Sequence, residues 1–122
     1  MELVTRVSDM MALGAKWRKE GKTVGLVPTM GFLHEGHLAL AKAARLENEL
    51  VVMSIFVNPI QFGAGEDYEV YPRDLVHDAE LAQKVGVDYI FNPSTDDMYG
   101  DNFKTMVKVN DLKLSPYISS VD

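Results

Sequence analysis

Pro28 to His37 reads PTMGFLHEGH, and an apolar run without alternation, VGLV over Val24 to Val27, leads into it. A pattern with helical spacing leads out: Leu38, Leu40, Ala41, Ala44 and Leu46 recur on one face, with Lys42, Arg45, Glu47 and Glu49 free to point outward. An unalternating apolar run suits a strand covered on both faces of a parallel sheet. The decapeptide therefore occupies a strand-to-helix turn, with Pro28 closing the strand. Two imidazoles and the amides of a helix start can converge on phosphate there. With His37 opening the helix, His34 falls in the preceding turn, and Gly36 lets backbone approach a ligand with no Cβ in the way. Such donors act most usefully on charge that develops at phosphorus during nucleophilic attack.

Outward from the turn, helix and strand alternate. Val7, Met10, Met11, Ala15 and Trp17 predict a helix over Val7 to Glu20, capped by Thr5 or Ser8 and stopped by Gly21. Asn48 is a breaker, and Leu50 to Val57, LVVMSIFV, has the β-branched content of a central parallel strand. Asn58 to Tyr71 is a long loop at that strand's end. Pro72 to Gly86 resumes helical spacing, with Pro72 in a first position and Leu75, Ala79, Leu81, Ala82 and Val85 as buried residues. Val87 to Phe91 reads as a third strand, and Phe103 to Val109 as a further one. This order implies an α/β fold, a Rossmann-like open parallel sheet with flanking helices. Ligands bind such sheets outside the carboxyl ends of the strands, the edge on which the clusters at 28–37 and 57–65 both fall.

The 122 residues fit one domain, and 47% apolar content is enough for a core. A net charge of −6 argues against a surface that coats nucleic acid, while leaving room for a small anion in a local pocket. The chain has no cysteine, which fits a reducing cytoplasm. MELVTRVSDMM lacks the apolar core of a signal peptide, and no apolar run approaches the roughly 20 residues of a membrane span. A zinc site finds few ligands: besides the pair in the turn there is only His77, placed in a predicted helix, and no HExxH spacing occurs.

PTMGFLHEGH resembles the HxGH signature of nucleotidylyltransferases related to class I aminoacyl-tRNA synthetases. Together with SIFVNPIQFGAGED at Ser54 to Asp67 and YPR at Tyr71 to Arg73, the chain is similar to the pantoate–β-alanine ligase family from about Gly25 through Val109. The resemblance implies a cytoplasmic enzyme whose substrates are ATP, pantoate and β-alanine, with Mg²⁺ carried on the nucleotide. Pantoate attacks the α-phosphate to give pantoyl adenylate and pyrophosphate, and the β-alanine amine then displaces AMP. It implies an ATP site along Pro28, Thr29, Met30, Gly31, Phe32, Leu33, His34, Glu35, Gly36 and His37. His34 and His37 are the catalytic pair in that site, and His37 is the proton donor. Asn58, Gln61 and Met30 would hold pantoate and β-alanine, and no protein group would hold a metal. Phe56 and Phe62 suit pocket walls, and Asp67, Tyr71 and Arg73 a lid.

The resemblance has a limit. Family members continue past the region of Val109 with segments that carry a Lys and an Asp of the nucleotide site, a second Gln for pantoate, a Ser and Arg for the triphosphate, and a separate C-terminal domain. Here the chain reads LKLSPYISSVD. It is thus expected to be the N-terminal portion of a nucleotide-binding domain from a family whose full-length members are homodimers. Alone it is expected to have little or no ligase activity and to self-associate. Two other readings compete with this one: a related nucleotidylyltransferase of another substrate class, and a non-catalytic nucleotide-binding or dimerisation module.

Overall fold

The computed structural model describes residues 1–57 and 74–99. In chain order they form β1 (Glu2–Val4), α1 (Val7–Glu20), β2 (Val24–Thr29), α2 (Glu35–Glu47), β3 (Leu50–Ile55), α3 (Leu75–Lys84), β4 (Tyr89–Phe91) and α4 (Thr95–Tyr99). The strands build one parallel sheet in the order β1-β4-β3-β2, the α/β architecture expected from the alternating pattern. The expected loop over Asn58 to Tyr71 and strand over Phe103 to Val109 lie outside the described residues.

The period of two along β3 divides the core. Val51, Met53 and Ile55 pack with Ala41 and Ala44 of α2 and Ala82 of α3. Val52 joins the other cluster, with Val7, Met10 and Trp17 of α1. Helices therefore cover both faces, which is why LVVMSI can be apolar without alternating. Val51 and Met53 are fully buried, and each such side chain contributes about 1.5–3 kcal/mol. The small residues on α2 set how closely it approaches: a Cβ on Gly25 of β2 would lie 3.0 Å from the Ala44 Cβ and 2.9 Å from Asn48 Nδ2.

Two residues placed inward by sequence spacing are exposed. The buried stripe of α1 is Val7, Met10, Gly14 and Trp17, which leaves Ala15 about 100° off that line. Leu46 is 86% exposed, since it follows Ala44 by two residues, about 200° around α2.

Several element ends also differ from expectation. Neither Thr5 nor Ser8 caps α1. Arg6 holds the N-cap position without a side-chain bond, and the Val7 N–H donates to Asp97 of α4, which also pairs with Arg6 at 3.6 Å. A distant carboxylate does the local cap's work. Pro28 does not end its strand, which runs on to Thr29. The Thr29 carbonyl faces β3 and accepts from the Phe56 N–H at 3.0 Å, so the neighbouring Pro28 nitrogen turns toward the sheet edge, where its missing N–H costs no ladder bond. α3 begins at Leu75, where the Asp74 carboxylate accepts from the His77 N–H at 3.1 Å and caps it, and the expected first position, Pro72, lies outside the described residues. Gly21 at φ 74° ends α1 and Gly86 at φ 91° follows α3, both in the left-handed region glycine tolerates.

Arg45 ties the far end of α2 to the start of β4. Its Nη1 donates to Gly86 O at 3.1 Å and to the Asp88 carboxylate at 2.5 Å, and the same Asp88 oxygen accepts the Val51 N–H at 2.9 Å. Among the described residues no helix is long and apolar enough to cross a membrane.

Candidate functional site

The turn leaving β2 is held from three sides. The Thr29 hydroxyl donates to Ser54 O of β3 at 3.0 Å and accepts the Gly31 N–H at 3.1 Å. Gly31 sits at φ 85°, and a Cβ there would lie 3.1 Å from Asp78 Oδ2 and 3.2 Å from Ile55 Cγ2. From α3, Asp78 then accepts two consecutive amides, Phe32 N–H at 2.9 Å and Leu33 N–H at 2.8 Å. Asp78 is only 2% exposed, and among the described residues no lysine or arginine pairs with it. Sequence spacing passed it over although the signal was there: position 78 lies three after Leu75 and four before Ala82, on the buried stripe of α3, where a lone carboxylate needs partners.

Those two bonds hold a residue in an unfavourable conformation. Phe32 has φ 51°, in the left-handed region a bulky side chain seldom adopts, and its ring is 60% exposed. Replacing Phe32 by Asn, which tolerates that region, is expected to stabilise the fold by about 0.5–1 kcal/mol. A higher urea midpoint at unchanged slope is the measurement.

Next, the turn becomes a helix earlier than the sequence suggested. His34 is the N-cap, Glu35 the first helical residue, and His37 the third. The two rings serve as a reciprocal cap: the Gly36 N–H donates to His34 Nδ1 at 3.0 Å, and the His34 N–H donates to His37 Nδ1 at 3.3 Å. Their centroids are 4.1 Å apart. Gly36 has a reason beyond ligand approach, since a Cβ there would lie 2.8 Å from His34 Cε1. Imidazole nitrogens thus satisfy the amides of His34 and Gly36, while that of Glu35 has no partner among the described residues. With the positive pole of a 13-residue helix behind it, the Glu35 amide suits an anion.

Burial, and after it the neighbouring His34, hold the His37 imidazole below its ordinary value of 6.5, while Asp78 pulls it upward. The unfolded chain therefore takes up this proton more readily than the folded one. Native stability should fall as pH drops below 6.5 and through the lower folded value, and stay level above 6.5. Urea midpoints compared above and below that window should show the loss in the parent chain and a smaller one in His37→Gln.

Of the residues expected at the site, Met30 is half-buried, Phe32, His34, Glu35 and Gly36 are exposed, and His37 and Pro28 are half-buried. Thr29, Gly31 and Leu33 are buried and hold the turn from within. Asn58 and Gln61, with Phe62, Asp67, Tyr71 and Arg73, lie outside the described residues. Beside the turn, across the carboxyl ends of β2, β3 and β4, a cavity of about 230 Å³ is lined by Met30, Phe56, Val57, Leu75, Asp78 and Asn92 among others. The Asn92 side chain closes one side by donating to Ile55 O at 2.7 Å.

A parallel α/β sheet with a paired-imidazole cap on the helix that leaves a strand's carboxyl end places this turn on the edge where open α/β sheets bind their ligands. The model of the family described as pantoate-beta-alanine ligase matches residues 2–117. The pantothenate synthetase of Caldicellulosiruptor bescii is 53% identical over 112 residues, 92% of this chain and 40% of the relative. That of Bacillus velezensis is 56% identical over 109 residues, 89% of this chain and 38% of the relative. Among solved structures, the pantothenate synthetase of Thermus thermophilus superposes with a TM-score of 0.74 at 50% identity, over 84% of this chain and 36% of that one. The pantoate-beta-alanine ligase of Francisella tularensis, complexed with beta-gamma ATP and beta-alanine, gives 0.76 at 40% identity, over 83% and 38%. The chain belongs to the pantoate–β-alanine ligase family, and it spans about two fifths of the length of the curated relatives it matches.

Proposed function

We propose that this chain supplies one wall of the site that condenses pantoate with β-alanine at the expense of ATP, as the N-terminal portion of a Rossmann-like nucleotide-binding domain. The observation that carries the reading is the helix start at the end of β2, where paired imidazoles and the amide of Glu35 are presented together. A pantoate carboxylate oxygen attacks the α-phosphorus, the bond from that phosphorus to the bridging oxygen breaks, and pyrophosphate leaves. The neutral amine of β-alanine then attacks the acyl carbon, the bond to AMP breaks, and the nitrogen sheds a proton as the amide forms. The turn from Pro28 to His37 would border the nucleotide, with His34 and His37 at its phosphates. Met30 beside the cavity, with Asn58 and Gln61, would hold the organic substrates. Mg²⁺ would arrive on the nucleotide's oxygens, the ligands it prefers. Phosphate chemistry needs compensating charge as well as direction, and the magnesium ion carried on the nucleotide would supply part of that charge.

The test is a chimera in which residues 2–117 replace the matching segment of the Bacillus velezensis relative. AMP formation that requires both pantoate and β-alanine is expected from the chimera, and little or none from the 122-residue chain alone. A folded chimera that binds ATP but forms no AMP would favour a nucleotide-binding module and overturn the proposal. Adenylation of a phosphopantetheine ligand in place of pantoate would assign the chain to another nucleotidylyltransferase class.

A further inference from the structure

We propose that Asp78 is a positioning residue of the nucleotide site: its carboxyl group fills the anion-binding concavity that the turn after β2 would otherwise offer, which fixes the path of the turn and turns a phosphate away from it. For the identity of the ligand the inference rests on the ligase reading. For the concavity and its occupant it rests on hydrogen-bond geometry alone.

Successive amides that converge on one point make a site for an anion. Phe32 and Leu33 are consecutive, and their N–H groups donate to the two oxygens of one carboxyl group, at 2.9 and 2.8 Å. The amide before them, that of Gly31, is taken by the Thr29 hydroxyl at 3.1 Å. The anion in this concavity is therefore the protein's own. A carboxylate suits it because it presents two acceptor oxygens and no donor on a short stem. Its place is set from α3, where the Asp78 N–H donates to the carbonyl of the capping residue Asp74 at 3.0 Å.

The backbone bears the mark of this arrangement. Phe32 keeps φ 51° with both neighbouring amides drawn inward, and such conformations persist where the surroundings over-determine them, commonly at ligand clamps. A phosphate reaching the turn meets three engaged amides in a row and a like charge beneath two of them. Farther along the turn, the amide of Glu35 has no partner among the described residues. Asp78 thus sets the register of the nucleotide along the turn through the backbone, without itself reaching the ligand.

The same bonds also hold the fold together, so the test separates positioning from stability. In the chimera, Asp78→Asn is expected to lower kcat for AMP formation by about 10²-fold, the cost of a displacement near 1 Å at the reacting groups. The comparison is Arg45→Ala, which removes the bonds to Gly86 and Asp88 at the opposite edge of the sheet and should leave kcat within about twofold of the parent while the urea midpoint falls. Parental kcat in folded Asp78→Asn, or an equal loss of kcat in folded Arg45→Ala, would overturn the proposal. If the parent chimera forms no AMP, the ligase reading fails and amide spectra of the 122-residue chain decide the concavity. Adding ATP to Asp78→Asn should then shift the amide signals of Phe32 and Leu33, which ATP leaves in place in the parent. The same response in both proteins, including none in either, would overturn the proposal.

Discussion

Asp78→Ala is expected to lower the stability of the described fold by about 3–5 kcal/mol, the largest effect of any single substitution considered. Asp78 accepts two amides at 2.9 and 2.8 Å in a setting where it is 2% exposed. Hydrogen bonds to a charged group contribute about 1.5–3 kcal/mol each, and alanine leaves both donors without that acceptor, the Leu33 N–H in a buried setting and the Phe32 N–H in a partly buried one. Asp78→Asn keeps one acceptor but turns its amide group toward a second N–H, so about half the loss is expected. Urea unfolding at unchanged slope gives these values. Amide exchange locates them: the protons of Phe32 and Leu33 should exchange far faster in the variant, ahead of those in β3. An Asp78→Ala loss below about 1 kcal/mol would show that the turn is held by other means. The consequence for the site follows from continuity. Gly31 to Leu33 lead directly into the His34 cap, so loosening the turn releases the start of α2 as well.

The contrast between Asp78 and the residues that were legible in the sequence is physical. Long runs with one period report on burial, and burial of both sheet faces is what LVVMSI recorded; β3 proved to be the central strand between β2 and β4. The strand-to-helix turn was legible for the same reason, since an apolar run and a helical stripe flank it. Features decided by contacts distant in sequence were not. β1 has three residues, too few for any period, and exists because its backbone joins Asp88 and Asn92 at either end of β4. The cap of α1 comes from Asp97, ninety residues away. At the site, both histidines and Gly36 could be singled out, but the sequence placed the helix start at His37 where the structure has His34 as cap. A histidine is an unusual N-cap, since Ser, Thr, Asp and Asn hold that position by preference. Its role there depends on the neighbouring ring and on a glycine too small to obstruct it.

In the chimera, His34→Ala and His37→Ala are each expected to lower kcat by about 10²–10³-fold, as loss of one donor to a developing charge does elsewhere. Because such donors act mainly in the transition state, kcat and kcat/KM for ATP should fall together, with KM little changed. A rise in KM alone would make the rings a ground-state clamp and contradict the proposed role. The double substitution should cost much less than the product of the two. His34 both accepts from Gly36 and donates its N–H to His37, so removing either ring disturbs the other's setting. Each alanine also removes a capping bond at about 1 kcal/mol, measured by urea unfolding, which is too little to unfold a domain of ordinary stability. An activity loss that tracked unfolding would therefore have to exceed that figure several-fold. A loss of about 10²-fold in a protein that remains folded assigns the deficit to the phosphates themselves.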